Sequence, residues 1–381
     1  MSQEKILGRD LVTGDSILVT VENDTIVAIE SSDKAAELWI SAGLVDLQVN
    51  GYLGMDLNGP DLTPGTVSKL ARALLGTGVT TFAPTLITAS EDALCERLAC
   101  IAEACAQDPI AAACIPYIHV EGPHISPLEG YRGAHAVDCV RPPSIAEFDR
   151  WQASSTVRIG LVTLSPHFPG SIEYIHALRQ RSVHVALGHT HASQAEIQGA
   201  VRAGARLSTH LGNGIASQID RHPNPIWSQL SEDRLTASFI ADGHHLPAEV
   251  LTAMLRAKGL DRSILVSDLV ALAGMPPGRY VTPVGGRVEL SATGRLTMEG
   301  ASTLAGAVLP LMSCVGKAVE MTGLPLARIM SMATENPGRF AGNRGRLLAG
   351  SRADITRFRW NAQDNVTTVA DVWLAGEPVA S

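Results

Sequence analysis

The sequence is poor in aromatic residues, which make up 4% of its 381 positions. Base-stacking platforms are built from such rings, so their scarcity argues against a single-stranded nucleic-acid binder. There is no basic surplus either. The net charge is −8, where a nucleic-acid-binding domain carries a positive face. The six cysteines, at positions 95, 100, 105, 114, 139 and 314, include no C-x-x-C pair. They read as reduced, mostly buried thiols rather than as a zinc site or a disulfide framework. The most apolar run, Pro109 to Val120, falls well short of the ~18 residues that suggest a membrane span. The N-terminal stretch from Met1 to Ser16 lacks a basic segment followed by an apolar one, so no secretory leader is expected. These absences lead to the expectation of a cytoplasmic protein with neither a membrane nor a nucleic-acid partner. They leave small anionic substrates open, because one or two local Arg or His residues suffice to hold a phosphate.

What is present supports a large core. Hydrophobic residues reach 45% and charged ones 18%, a balance that excludes disorder. Both ends of the chain look like short strands: Ser16 to Val21 and Thr25 to Ile29 at the start, then Asp354 to Phe358, Val366 to Val369 and Val372 to Leu374 at the close. Their matching character predicts one small β-sandwich domain built from residues 1–42 and 341–381. Between them, eight apolar runs alternate with helical stretches: Gly43–Gly51, Thr80–Leu86, Ile115–Glu121, Val157–Leu164, Val183–His189, Ala205–His210, Leu235–Asp242 and Ser263–Asp268. Continuous Val, Ile, Leu and Ala character marks strands covered on both faces. Pro64–Leu75, Glu91–Ala106, Ser171–Gln180, Ser193–Ala203 and Pro247–Lys258 show apolar spacing of three and four, several after a Ser, Thr or Pro start signal. The alternation predicts a (β/α)8 TIM-like barrel over residues 43–340. A doubly wound sheet is less favoured, since no G-x-G-x-x-G follows the first strand.

Ionisable residues fall at the carboxyl ends of these runs, which in a barrel ring one mouth and host the active site. A carboxylate with two imidazoles is a common catalytic zinc set that leaves a position open for water. Glu121, His189 and His210 would supply it, although any one of them taken singly reads as a polar strand end satisfied by a neighbour. Asp268 ends the last run and can take a proton from an activated water and return it to a leaving amine; the competing role is a helix N-cap.

The ordered motifs carry a resemblance. They are Gly43-Leu44-Val45-Asp46-Leu47-Gln48-Val49-Asn50-Gly51, Pro84-Thr85-Leu86-Ile87-Thr88, His119-Val120-Glu121-Gly122-Pro123 with Gly133-Ala134-His135, Gly188-His189-Thr190, Thr209-His210-Leu211 with Asn213, Ala241-Asp242-Gly243 with His245, Ser267-Asp268 and Ser302-Thr303-Leu304-Ala305-Gly306. In this order they resemble the N-acetylglucosamine-6-phosphate deacetylases of the amidohydrolase superfamily, over nearly the whole chain. The resemblance implies one divalent metal on Glu121, His189 and His210, zinc first, with iron, manganese or cobalt as alternatives. It implies Asp268 as general base and then general acid, and His135 on the acetyl carbonyl. His245, Arg221 and the backbone amides near Asn213-Gly214 would meet the sugar phosphate. In the family the arginine comes from a partner subunit, which implies a homodimer.

Many amidohydrolases carry H-x-H on the first strand and bind a second metal there. Here the positions read Gln48-Val49-Asn50, and neutral amides are poor ligands beside imidazole. Some members of the deacetylase family share this pattern and use one metal, so a mononuclear site is expected, with His119 and His191 in packing or orienting roles. The loop Gly212-Asn213-Gly214-Ile215 departs from the family's pattern; its two glycines make it more permissive and remove a side-chain wall. His124 and His244 also depart. Other readings stay open: N-acetylgalactosamine 6-phosphate, an unphosphorylated N-acyl sugar or an N-acyl amino acid as substrate, or a catalytically inactive scaffold barrel.

Overall fold

Strands that are apolar on both faces must be covered on both faces, and the chain meets that demand with one parallel sheet. In the computed structural model, which describes residues 3–283 and 285–379, this sheet has eight strands. They are Leu44–Val49, Val79–Ile87, Ile118–Glu121, Ile159–Leu164, His184–Leu187, Leu207–Ser208, Thr236–Phe239 and Ser263–Leu265, paired in chain order. All eight expected strands are present, most of them shorter than their apolar runs. The sheet curls until its first and last strands meet beyond their ends: the Asp268 amide donates to the Gln48 carbonyl at 3.1 Å, and Val49 bridges Leu269. The Ser267 amide donates to the Asp46 carboxylate at 3.2 Å across the same seam. The result is a nearly closed (β/α)8 barrel.

Helix starts follow local chemistry. Thr63 caps Pro64–Leu75, Ser90 caps Glu91–Gln107, and Ser193 forms a reciprocal capping box with Glu196 at the head of Gln194–Ala203. Their buried faces pack onto the outside of the barrel, where Leu70, Leu74, Leu98, Ile101, Trp151 and Phe239 belong to one core. Val45, Ala83, Leu161, Ala186, Leu207 and Ile264 fill the inside. No helix among the described residues is long and apolar enough to cross a membrane.

Both chain ends build one further sheet where a small β-sandwich was expected, and the first two and last two residues of that expected span lie outside the described set. Its seven strands run in the order Glu377–Val379, Val366–Leu374, Ile355–Asn361, Trp39–Ala42, Gln3–Arg9, Ser16–Glu22 and Thr25–Ser31. The two strands expected within 366–374 are one, because a register shift opposite Arg357 and Phe358 absorbs a residue without breaking the ladder. Phe358, Val372 and Leu374 of this sheet join the barrel's outer core.

One element was not anticipated. After the eighth strand the chain makes an antiparallel meander, Gly278–Thr282, Gly286–Leu290 and Leu296–Met298, closed over Leu272, Val288, Leu290 and Leu296. It stands over the barrel mouth.

Phe358 is fully buried where sheet meets barrel. Phe358→Ala is therefore expected to lower stability by about 3–5 kcal/mol, read as a fall in the denaturant midpoint. An unchanged midpoint would mean that the sheet is anchored elsewhere.

Candidate active site

The third strand ends in Glu121, while His189 and His210 lie two residues past the ends of the fifth and sixth, and barrel closure brings the three together. Their ligand atoms all lie within 4.8 Å of one another, and all three residues are buried. Nε2 of His210 is 3.0 Å and Nε2 of His189 3.4 Å from Glu121 Oε1. Nδ1 of His189 is 2.9 Å from the Tyr131 carbonyl, so it donates there and leaves Nε2 free to coordinate. Burial alone would raise the Glu121 carboxyl, but the facing imidazoles hold it well below the usual carboxylate range. Burial likewise works to lower His210, yet its bond to the Glu121 carboxylate keeps it above its ordinary value.

The backbone here is unusual. His189, His210 and Asp268 have φ of 48°, 29° and 50°, in the left-handed region that side-chain-bearing residues rarely enter. Each such residue costs on the order of 1–3 kcal/mol and persists only where the surroundings enforce it.

Asp268 is half-buried beside this cluster. Asn50 Nδ2 donates to its Oδ1 at 2.8 Å, while Gln48 Nε2 donates to Glu121 Oε1 at 3.1 Å. The two amides read from the sequence as poor metal ligands thus have a positive use: each holds a carboxylate of the site. Burial pushes the Asp268 carboxyl up to about 6, and the Glu121 charge adds to that. His135 is buried with Nδ1 2.8 Å from the Thr88 hydroxyl, and its ring lies edge-on to His189 at 4.4 Å. Burial, reinforced by the neighbouring His189, drives its pKa down to about 3, so the imidazole is neutral at pH 7.

These groups line one cavity of about 310 Å³, together with Asn213, Gly214 and His245. His245 is fixed through Nδ1, 2.7 Å from Asp242 Oδ2, and Asp242 also accepts from the His244 and His245 amides. The Asn213 amide is spent on the His210 carbonyl at 2.9 Å; the buried donor of Asn213 left without a partner is its side-chain Nδ2. Gly214 does not loosen its loop as expected. Its φ is +60°, and a Cβ there would lie 2.7 Å from His189 Nδ1, so the loop is pressed against a ligand. Arg221 alone is not brought in: it is exposed on the loop after the sixth strand and does not line the cavity. Among the described residues no lysine or arginine lines it.

His119 lies inside the barrel, Nε2 2.8 Å from Thr163 Oγ1 and Nδ1 3.2 Å from the Leu47 carbonyl, and His191 bonds Ser126 at 2.7 Å; neither joins the cluster. Sequence reasoning did not single out Asp56, Asn58 or the meander's Thr282 and Leu296, which also line the cavity. Thr88 and Asp242 were visible only as letters within motifs. The Tyr131 carbonyl carried no signal, since any residue type offers one.

The amidohydrolase family model matches residues 39–379. The chain belongs to the amidohydrolase family. It is 31% identical over 367 residues to the N-acetylgalactosamine-6-phosphate deacetylase of Escherichia coli O157:H7, covering 95% of this chain and 92% of that protein. To the human N-acetylglucosamine-6-phosphate deacetylase it is 31% identical over 401 residues, covering 98% and 92%. A solved variant of the N-acetyl-D-glucosamine-6-phosphate deacetylase of Mycobacterium smegmatis, in complex with N-acetyl-D-glucosamine-6-phosphate, superposes with a TM-score of 0.88 at 26% identity and covers 100% of both chains.

Amidohydrolases are metal-dependent, and the donor set of this one fits a divalent cation. A buried carboxylate needs a positive partner, two imidazole nitrogens converge on it, and among the described residues no Lys or Arg of the cavity wall competes. Gly214→Ala is expected to displace His189 and weaken metal retention about 10–100-fold, measured by competition with a chelator; retention equal to the parent's would show that the contact at His189 is slack.

Proposed function

We propose that this amidohydrolase hydrolyses the N-acetyl group of an amino-sugar phosphate, N-acetyl-D-glucosamine 6-phosphate first, to acetate and D-glucosamine 6-phosphate. The observation that carries the reading is the Asp268 carboxylate sharing one cavity with the Glu121, His189 and His210 donors and with a neutral His135.

Glu121, His189 and His210 would hold one divalent metal per subunit, zinc before iron, manganese or cobalt. Such a metal supplies Lewis acidity toward water and the amide carbonyl. The remaining steps belong to the chain. Asn50 occupies Oδ1 of Asp268 and turns its other oxygen to the reacting water. Asp268 accepts a proton there as the water oxygen bonds to the carbonyl carbon, and delivers it to the nitrogen as the C–N bond breaks; the amine departs neutral with acetic acid, which gives its remaining proton to solvent and becomes acetate. In the tautomer protonated at Nε2, with Nδ1 accepting from the Thr88 hydroxyl 2.8 Å away, His135 would present its Nε2–H to the carbonyl oxygen as charge builds on it. His245, the Asn213 side-chain amide and the Gly214 backbone would receive the phosphate. Its principal countercharge would be Arg221 of a second copy, since the described cavity wall has no Lys or Arg of its own. That makes the working unit a homodimer, and the cytoplasm, where phosphorylated sugars are retained, its compartment.

The direct assay follows acetate and primary amine released from N-acetyl-D-glucosamine 6-phosphate. Asp268→Asn should keep its metal and lose about 10²–10⁴-fold in turnover; full activity would end the general-base assignment. The base works ionised, so kcat/KM should fall as pH drops through about 6 or, with the dication's charge nearby, below it, and the limb should vanish in the variant.

A second reading, the galactosamine epimer, is favoured by the Escherichia coli relative; the ratio of kcat/KM for the two 6-phosphates decides between them. Arg221→Ala should raise KM about 10–100-fold for phosphorylated substrate only. Mixing Arg221→Ala with Asp268→Asn chains should restore activity, because one mixed site then has both groups. Absence of restoration in shown heterodimers would place Arg221 in its own chain's site or outside any.

A further inference from the structure

A second pair of imidazoles stands outside the cavity, past the ends of the fourth and fifth strands. The ring centres of His167 and His191 are 4.3 Å apart, with the planes at 47°. Each ring is held through Nδ1 by its own serine: Ser165 Oγ lies 2.6 Å from His167 Nδ1, and Ser126 Oγ 2.7 Å from His191 Nδ1. The serines are themselves held. Ser165 Oγ is 2.7 Å from Thr190 Oγ1, and Ser126 donates its amide to the His189 carbonyl at 2.9 Å and accepts the Leu128 amide at 3.2 Å. Phe168 backs the His167 ring at 3.9 Å, and Tyr131 meets the His191 ring at 5.8 Å. Both rings are only partly buried, and neither lines the cavity. Their Nε2 atoms make no hydrogen bond with any described residue. Two oriented, solvent-reachable imidazoles with their remaining nitrogens unspent are more than packing requires.

We propose that His167 and His191 form a second metal site, a two-histidine clamp for a divalent transition metal of the nickel(II) or copper(II) type. Imidazole suits such ions, which accept ligands at right angles. Two imidazoles sharing a cation at about 2.0–2.1 Å, a right angle apart, bring their ring centres to roughly 4.5 Å, whereas a tetrahedral angle spreads them to roughly 5.2 Å. The observed 4.3 Å matches the former. The Glu196 carboxylate is near enough to act electrostatically on both rings, and only its Oε2 is engaged by Ser193. Water would complete the shell: among the described residues Glu121, His189 and His210 are the only group of three donors this close together. The proposal does not depend on the deacetylase reading.

The test uses the full protein with its central site loaded with zinc, titrated with nickel(II) or copper(II) salts. A further equivalent should bind, and copper should give a paramagnetic resonance signal split by two nitrogens. His167→Gln and His191→Gln should each abolish that equivalent while retaining the zinc. In the unaltered protein, nickel should shield His167 and His191 from histidine-directed acylation, read by peptide mass spectrometry, while exposed His176 stays reactive. No added equivalent in excess metal, uptake that survives both substitutions, or acylation of both rings at an undiminished rate overturns the site.

Discussion

Everything at the barrel mouth is arranged around one buried negative charge. Glu121 is almost wholly removed from water, in a cavity whose described wall offers no lysine or arginine. An isolated carboxylate cannot persist there. Two imidazoles from neighbouring strand ends answer it, and the Gln48 amide takes up the same oxygen. The set is electron-rich and donor-complete on one side only, which is what a cation needs and an internal salt bridge does not. The same charge acts on Asp268. Because Glu121 stays ionised, burial and repulsion together lift Asp268 toward neutrality, giving two nearby carboxylates opposite tendencies: one fixed as a ligand, the other able to exchange a proton near physiological pH.

Holding this arrangement takes backbone strain. His189, His210 and Asp268 leave their strands through left-handed conformations, and each turn swings a side chain from the barrel lumen into the mouth. The cost, on the order of 1–3 kcal/mol apiece, is met by the rigid core beneath and by close contacts above. Gly133 and Gly214 both approach the His189 ring so nearly that a Cβ at either would meet it at 3.3 Å or less. The candidate ligands are thus positioned by what surrounds them, independently of any metal.

Much of this was legible in the sequence, for identifiable reasons. The eight barrel strands show as apolar runs because helices outside and packed side chains inside leave them no wet face. The helices announce themselves through caps such as Thr63, Ser90 and Ser193. Glu121, His189, His210 and Asp268 stood at strand tips, and only closure of the barrel was needed to gather them. What escaped lacked a side-chain signature. The meander after the eighth strand is short and half-exposed, so its alternation is weak. Strand Gln3–Arg9 pairs along its length with Ser16–Glu22, and Trp39–Ala42 is set by a distant partner, pairing Ala42 with Ile355 and Trp39 with Phe358. Gln48 and Asn50 were read for what amides do poorly, bind metals, and not for what they do well, donate to carboxylates. Gly214 suggested freedom, and only the distance to His189 reveals that it is a tight fit.

The first strand then explains why a single metal suffices in the proposed reading. An H-x-H pair would place two more imidazoles at the mouth and draw in a second cation. Gln48 and Asn50 instead spend their N–H groups on Glu121 and Asp268. A second cation would also hold Asp268 permanently ionised and lower its basicity, whereas an amide leaves its pKa raised. Charge balance carries the argument outward as well. A mouth walled by Asp56, Glu121 and Asp268, in the proposed reading with one metal at its floor, has among its described residues no lysine or arginine to spare for a phosphate. Only His245, the Asn213 amide and whatever a second chain supplies can answer that charge. In the proposed reading the hydrolytic centre is therefore complete within one chain, while recognition of a phosphorylated substrate is not, and the exposed Arg221 loop of a second copy would bring the missing charge.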